Sequence, residues 1–274
     1  MSFSPQWHAI GREGELAAEQ LAAGVTILGR ADHAHKGLYT QAFFSLSIGI
    51  ERLAKLIVVA DYLMTNGRYP TDQELRTFGH DVALLLDRCE TISLQHRSGQ
   101  LHAIRPNCLI HQGIVAGLSE FGVLSRYYNL DFIVGGKAAQ FPEPIGAWWR
   151  RVGMPILDKH YSEAQRQKDD ALVNAAAIFM GPSFVLHHAE DDSPIDDLTV
   201  LMQRAMATRV VQKYGRLYTL QIIRWLAFLI SDLARKACHG HNFESFFGLD
   251  ELFTIFMNED SYLVKRKTLS LYHR

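Results

Sequence analysis

The chain has 274 residues, enough for one large domain or two, with 48% hydrophobic and 21% charged positions, an ordinary balance for a globular protein. Its 28 Lys and Arg oppose 29 Asp and Glu for a formal net charge of -1, which excludes the global basic footprint of an obligate nucleic-acid binder but not a local basic groove. Three separated cysteines (Cys89, Cys108 and Cys238) argue against a disulfide framework, and together with an N-terminal MSFSPQWHAIGREGE that has no apolar core of signal length they lead us to expect a soluble, cytoplasmic protein.

Helical periodicity runs through the chain. Leu16, Leu21, Val25 and Leu28 fall at spacings of three and four and predict a helix over 12–29, stopped by Gly29. A long helix is predicted over 37–65, closed by Asn66-Gly67 and Pro70. Thr71 and Glu74 form a capping box, which predicts a helix through Ala83 and Leu86 to about Cys89. Pro106 suits the first turn of a helix running toward Tyr128 or beyond.

Gly135-Gly136 and the prolines at 142 and 144 make the clearest break. It suggests a helical domain over 1–136 and, over 145–274, either a second helical domain or an extension of the same bundle. Further helices are expected at roughly 145–166, 169–180, 194–213, 215–238 and 244–257, with Ser193-Pro194 as a start signal and Asp196 and Asp197 in a first turn. The apolar run IIRWLAFLI is interrupted by Arg224 and too short to span a bilayer, so no membrane contact is expected. Only TLSLYH near the end hints at a strand. GLYTQAFFSLSIGIERLAK at 37–55 and GRLYTLQIIRWLAFLISDLARK at 215–236 echo one another faintly. The expected class is all-α.

The stretch SIGIERLAKLIVVADYL (47–63) sets Glu51 and Lys55 four apart in an apolar helix, in the favourable Glu-before-Lys order. Gly49 lies beside them, NGRYP ends the helix, and FGHDVALLL opens the next. Such a pair is either a solvated face or a partly buried site. The apolar setting predicts partial burial, with Lys55, His80 or the later RYYNLD segment as partner of Glu51.

This arrangement of E-x-x-x-K helix, Gly/Pro turn and His-Asp helix over about 36–92, with weaker continuation to about 135, resembles the HEPN superfamily. SRYYNLDFIVGG (125–136) is also similar to a segment of uncharacterised bacterial proteins with this layout. The resemblance implies a helical bundle that dimerises and acts as a metal-independent endoribonuclease of a bacterial defence or toxin–antitoxin system, with RNA as substrate and no cofactor. It leaves as the alternative a non-catalytic interaction or scaffold module with a protein partner such as an antitoxin. Active members carry an Arg, four to six intervening residues and then a His, near the start of a later helix. The imidazole moves the proton of a ribose 2′-OH and the guanidinium holds the phosphate.

Three pairs match that spacing: Arg97–His102, Arg105–His111 and Arg235–His241. Arg105 and His111 follow the His80 helix, where the family would place them, and are the candidate catalytic pair, although Pro106 stands where a polar residue is usual. Glu51, His80, Arg126, Tyr127, Asn129 and Asp131 are the candidate binding residues. Arg126, Tyr127, Tyr128, Asn129 and Asp131 fit either a buried polar knot that fixes a helix end or a ligand site that stacks a base.

Metal chemistry has weaker support. Cys238-His239-Gly240-His241 and His187-His188 with Asp191-Asp192 come without CxxC, HxxxH or E-x-x-H companions. His80-Asp81 is formally the dipeptide of HD-type metal phosphohydrolases, a remote alternative that would need His33 or His111 and Asp131 as further ligands. No P-loop, dinucleotide fingerprint or nucleophile elbow is present.

Overall fold

The structure, a computed structural model, describes residues 3–181 and 183–271. It is all-α, with one small hairpin of strands. Helix α1 (Pro5–Leu28) begins earlier than predicted because Ser4 caps it and Pro5 occupies the first turn; it stops at Gly29. Helix α2 (Lys36–Asn66) ends at Gly67, whose φ of 66° supplies the left-handed cap. A Cβ on Gly24 would meet Leu46, and one on Gly49 would meet Leu21. Those pairings run in opposite senses along the chain, so α1 and α2 are antiparallel and closely packed. Gly49 therefore serves the α1 contact rather than making room for Glu51.

The helix predicted from Thr71 to Cys89 is two helices. The capping box opens α3 (Asp72–Thr77). Gly79, at φ 71°, breaks it, and Asp81 caps α4 (Val82–Arg97), which runs well past Cys89. Helix α5 (Leu109–Glu120) starts after Cys108, so Pro106 lies outside its first turn; a π-turn (Phe121–Ser125) follows and then α6 (Tyr128–Val134). Beyond the Gly-Gly break come α7 (Pro144–Trp148), a π-turn (Trp149–Gly153) and α8 (Met154–His160). Ser162 caps a new start at α9 (Glu163–Met180), which divides the helix predicted over 145–166.

Two predicted helical segments prove otherwise. Pro194–Asp197 is strand β2, antiparallel to β1 (Phe184–His188), and Asp197 caps α10 instead of lying in its first turn. Residues 249–257 form a 3-10 run, followed by α11 (Asp260–Leu263). In the other direction, the helices expected at 194–213 and 215–238 are one: α10 (Leu198–Arg235) passes Gly215 without a break. Of the suspected terminal strand, Thr268–Leu271 is not strand, and Tyr272 and His273 lie outside the described residues.

Helix α10 is the axis of the molecule and packs against α1, α2, α4, α5, α8 and α9. One apolar cluster extends from Ile10 to Leu269 and takes Trp148, Trp149, Trp225, Tyr39, Phe246, Phe253 and Phe256 as its largest buried side chains. Residues on both sides of the 136–144 break share that core. Helix α10 is long and apolar enough to cross a membrane by length and composition, but 78% of that window is buried inside the fold, which accounts for its apolarity as core.

Candidate functional site

Glu51, Lys55 and His80 come together on the surface of α2. The turn at Gly79 brings His80 back across α2, where its Nδ1 lies 2.8 Å from Glu51 Oε1. Lys55 Nζ donates to the same oxygen at 2.8 Å. Glu51 and Lys55 are 23% exposed, and His80 is 80% exposed. The expected partial burial and pairing of Glu51 are therefore present, with Lys55 and His80 as partners. A carboxylate on Nδ1 leaves Nε2 facing water, the orientation a general base requires. Asp81 is turned away, its Oδ1 accepting from the Ala83 and Leu84 amides and from Ser119 Oγ.

Arg105 and His111 do not meet. Arg105 is drawn to α4, at 2.8 Å from Asp87 and 3.2 Å from Glu90. His111 is buried on α5. Its Nδ1 accepts from the Cys108 amide at 3.2 Å, which puts the proton on Nε2, 2.8 Å from Gln221 Oε1 of α10. Gln221 in turn donates to Asp260, which pairs with Arg224. Burial holds the His111 imidazole below the ordinary histidine value. With both ring nitrogens engaged and the ring edge-on to Tyr218, this histidine is a structural link between α5 and α10. The cause is local: Pro106, Asn107 and the cap residue Cys108 separate Arg105 from the helix, so the six-residue spacing does not place the pair on one face.

The other two pairs are also committed. Arg97 is buried, donates to the Leu101 and His102 carbonyls and pairs with Asp232, while His102 stacks on Phe228. Arg235 pairs with Asp232, and His241 stacks on Phe243 beyond a π-turn.

The RYYNLD segment is not a buried knot; Arg126, Tyr127 and Asn129 are exposed. It borders a half-open cleft of about 230 Å³ lined by Thr40, Tyr127, Tyr128, Asn129 and Glu143, among others. The Arg126 guanidinium lies 5.1 Å from the centre of the Phe44 ring and donates to the Gly122 carbonyl. The Asp131 carbonyl accepts from the Gly136 amide at 2.6 Å and closes the end of α6. The aromatic lining suits a planar group.

Two features escaped the sequence reading. Glu190, between β1 and β2, is fully buried, held at 2.7 Å by Arg204 Nε and at 3.2 Å by Thr208 Oγ1, with the Arg204 guanidinium stacked 3.8 Å over Trp149. Burial, reinforced by the nearby Glu190 charge, pushes the Tyr39 hydroxyl well up, and burial lowers His33, which packs edge-on to His187. Asp191 and Asp192, noted in the sequence as metal candidates, instead bind the turn at Ser193 and pair with Lys36. Among the described residues no three His, Cys, Asp or Glu side chains come together as a metal site, and the His33, His80, His111 and Asp131 of an HD-type set lie in separate surroundings.

The second feature is apolar: Ile178, Phe179 and Met180 at the end of α9 and Phe184 and Leu186 on β1 are exposed, Phe179 to 93%. The readable signal was the absence of any Lys, Arg, Asp or Glu between Asp170 and Glu190. Such a run reads as core, and nothing in it says that the core stops short of it. No family model, curated protein or solved structure matches this chain.

Proposed function

We propose that this chain is a non-catalytic helical interaction module, an all-α scaffold that works through protein–protein contact. The observation that carries the reading is the set of exposed apolar side chains at the end of α9 and on β1 (Ile178, Phe179, Met180, Phe184 and Leu186). Exposed apolar surface, where it gathers, marks an association site. The Arg105–His111 pair lends no support to chemistry, because each member is spent on an internal contact. In the test, the purified protein is incubated with single-stranded RNA with and without EDTA. No cleavage above buffer is expected in either; EDTA-resistant cleavage that disappears in His80→Ala or His111→Ala overturns the reading.

One observation favours the second reading, a metal-independent endoribonuclease of the HEPN type serving a defence or toxin–antitoxin system. His80 is exposed and oriented by Glu51, with Lys55 beside them to meet a phosphate. General acid–base catalysis from such a group contributes typically ~100- to 10,000-fold. On this reading the same assay shows EDTA-resistant cleavage, and His80→Ala abolishes it while His111→Ala, if it folds, does not.

A further inference from the structure

We propose that the cleft between the α8–α9 junction and α10 binds the diphosphate group of a small organic molecule. The site lies in the second half of the chain, outside the residues that carry the family resemblance, and the interaction-module reading does not depend on it.

The first support is shape. The cleft is half-open, encloses about 390 Å³ and is lined by His160, Asp169, Arg209, Lys213 and Tyr214, among others. That volume falls within the roughly 300–1,000 Å³ of small-molecule sites. Met206 and Val210 add an apolar strip to the wall, where the organic part of a ligand can rest.

The second is charge without partners. Arg209 and Lys213 stand four apart on one face of α10, and Lys159 is in the last turn of α8; all three are exposed. Among the described residues none of them pairs with a carboxylate. Arg209 reaches Met206 Sδ, Lys213 Nζ lies 5.1 Å from the centre of the Tyr214 ring, and Lys159 hydrogen-bonds to the Tyr218 hydroxyl. Elsewhere Arg97, Arg105, Arg204 and Arg224 are each taken up by an acid. Like charges at a spacing of four repel. The carboxylate on the cleft wall, Asp169, is held by Tyr161 Oη at 2.9 Å and Gln165 Nε2 at 2.8 Å and pairs with none of the three cations.

The third is a neutral donor among those cations. His160 stacks on Tyr214, with ring centres 3.7 Å apart, and its Nε2 lies 2.9 Å from the Tyr218 hydroxyl. An ammonium only donates, so this hydroxyl accepts from Lys159 and gives its own proton to His160 Nε2. The ring proton is then on Nδ1, which has no partner among the described residues. Burial, with the charges of Lys159 and Lys213, keeps the ring below the ordinary histidine value and therefore neutral.

A single phosphate ester carries only about -1.5 to -2 charges near neutrality, too few for three cations. Two linked phosphoryl groups match them: two point charges on lysines, and one guanidinium fork that takes a pair of oxygens.

The experiment is isothermal titration calorimetry of the full chain with pyrophosphate, inorganic phosphate and a single-stranded RNA oligonucleotide, at low salt and without divalent cations. Pyrophosphate should bind once per chain and about tenfold or more tighter than phosphate. Arg209→Gln and Lys213→Gln should each weaken it by about tenfold, the loss expected for one charged hydrogen bond. Lys265→Gln, an exposed cation elsewhere, should bind as wild type does. Thermal denaturation gives a second readout: pyrophosphate should raise the wild-type midpoint and not that of the Arg209→Gln, Lys213→Gln double variant. No saturable pyrophosphate binding, phosphate binding as tightly, equal loss in Lys265→Gln, or no loss in either cleft variant overturns the proposal. So does RNA that binds through Arg209 and Lys213 when pyrophosphate does not.

Discussion

The region from α2 to α5 and the arm made of α9 and β1 use their residues in opposite ways. In the first, polar side chains in apolar surroundings look like chemistry, yet Arg97, Arg105 and His111 are consumed by contacts with neighbouring helices. In the second, apolar side chains look like core, yet Phe179 and Phe184 face outward. A residue type signals what a position can do, and only the position's partners say whether that capacity is already spent. Polar groups satisfied internally have no capacity left for a ligand, whereas apolar groups left uncovered remain open to contact.

The largest expected effect lies where the arm joins the body. Glu190, at the hairpin turn, is fully buried and depends on Arg204 for charge compensation. Arg204→Ala leaves a buried carboxylate with only Thr208 and nearby Tyr39, and breaking such a pair costs roughly 3–5 kcal/mol. Urea denaturation measures it. A loss under ~1 kcal/mol, the range of an exposed pair, means that the hairpin is not anchored through Glu190.

The next effect belongs to His111. His111→Ala leaves the Cys108 amide and the Gln221 carbonyl oxygen unpaired and costs about 1–3 kcal/mol. The same residue gives a pH dependence. Burial lowers His111, and also His33, His102 and His160, below the ordinary value of 6.5. The folded state holds these rings neutral, so the unfolded chain binds protons first as pH falls. Their contribution is complete above pH 6.5 and declines as pH drops from there through the lowered folded values. Urea midpoints should therefore fall between neutral and mildly acidic pH, with a shallower slope in His111→Gln. A midpoint that holds steady on acidification contradicts the buried, neutral assignment.

Much of the scaffold was legible because its signals are local. Gly29, Gly67, Thr71 and Glu74 act through backbone groups a few residues away, and a reader of the sequence sees both partners. The Glu51–Lys55 pair was legible for the same reason, whereas the Gly79 turn that brings His80 to it was read through as helix. The candidate catalytic pair failed because a six-residue spacing means one face only inside a helix, and Pro106 and the cap at Cys108 keep Arg105 outside α5. The helices expected at 194–213 and 215–238 were divided wrongly, since Gly215 is buried and helical within α10. The strands at 184–188 and 194–197 were missed because Ser-Pro followed by two Asp is also a helix-start pattern, and the hairpin is held by a buried Glu190 whose partner is distant in sequence.

Of those local signals, the capping box is the simplest to test and gives a smaller effect. Thr71 accepts the Glu74 amide, and Glu74 Oε2 accepts the Thr71 amide at 2.7 Å. Thr71→Ala should cost on the order of 1 kcal/mol. The Glu74 carboxyl, held well below the usual range by Arg68, Tyr62 and Thr71, stays charged throughout the accessible pH range, so this loss should not vary with pH. A pH-dependent loss between neutral and mildly acidic conditions would mean that the cap draws on the histidines instead.

The smallest effect sharpens the comparison most. A Phe cut to Ala in the core, such as Phe253, costs roughly 3–5 kcal/mol because a cavity remains and transfer energy is lost. Phe179 is 93% exposed, so Phe179→Ser should change folding stability by no more than ~0.5 kcal/mol. Urea denaturation of both variants measures the contrast. A large loss in Phe179→Ser places Phe179 in the core of the chain, whereas a small loss in Phe253→Ala removes Phe253 from it.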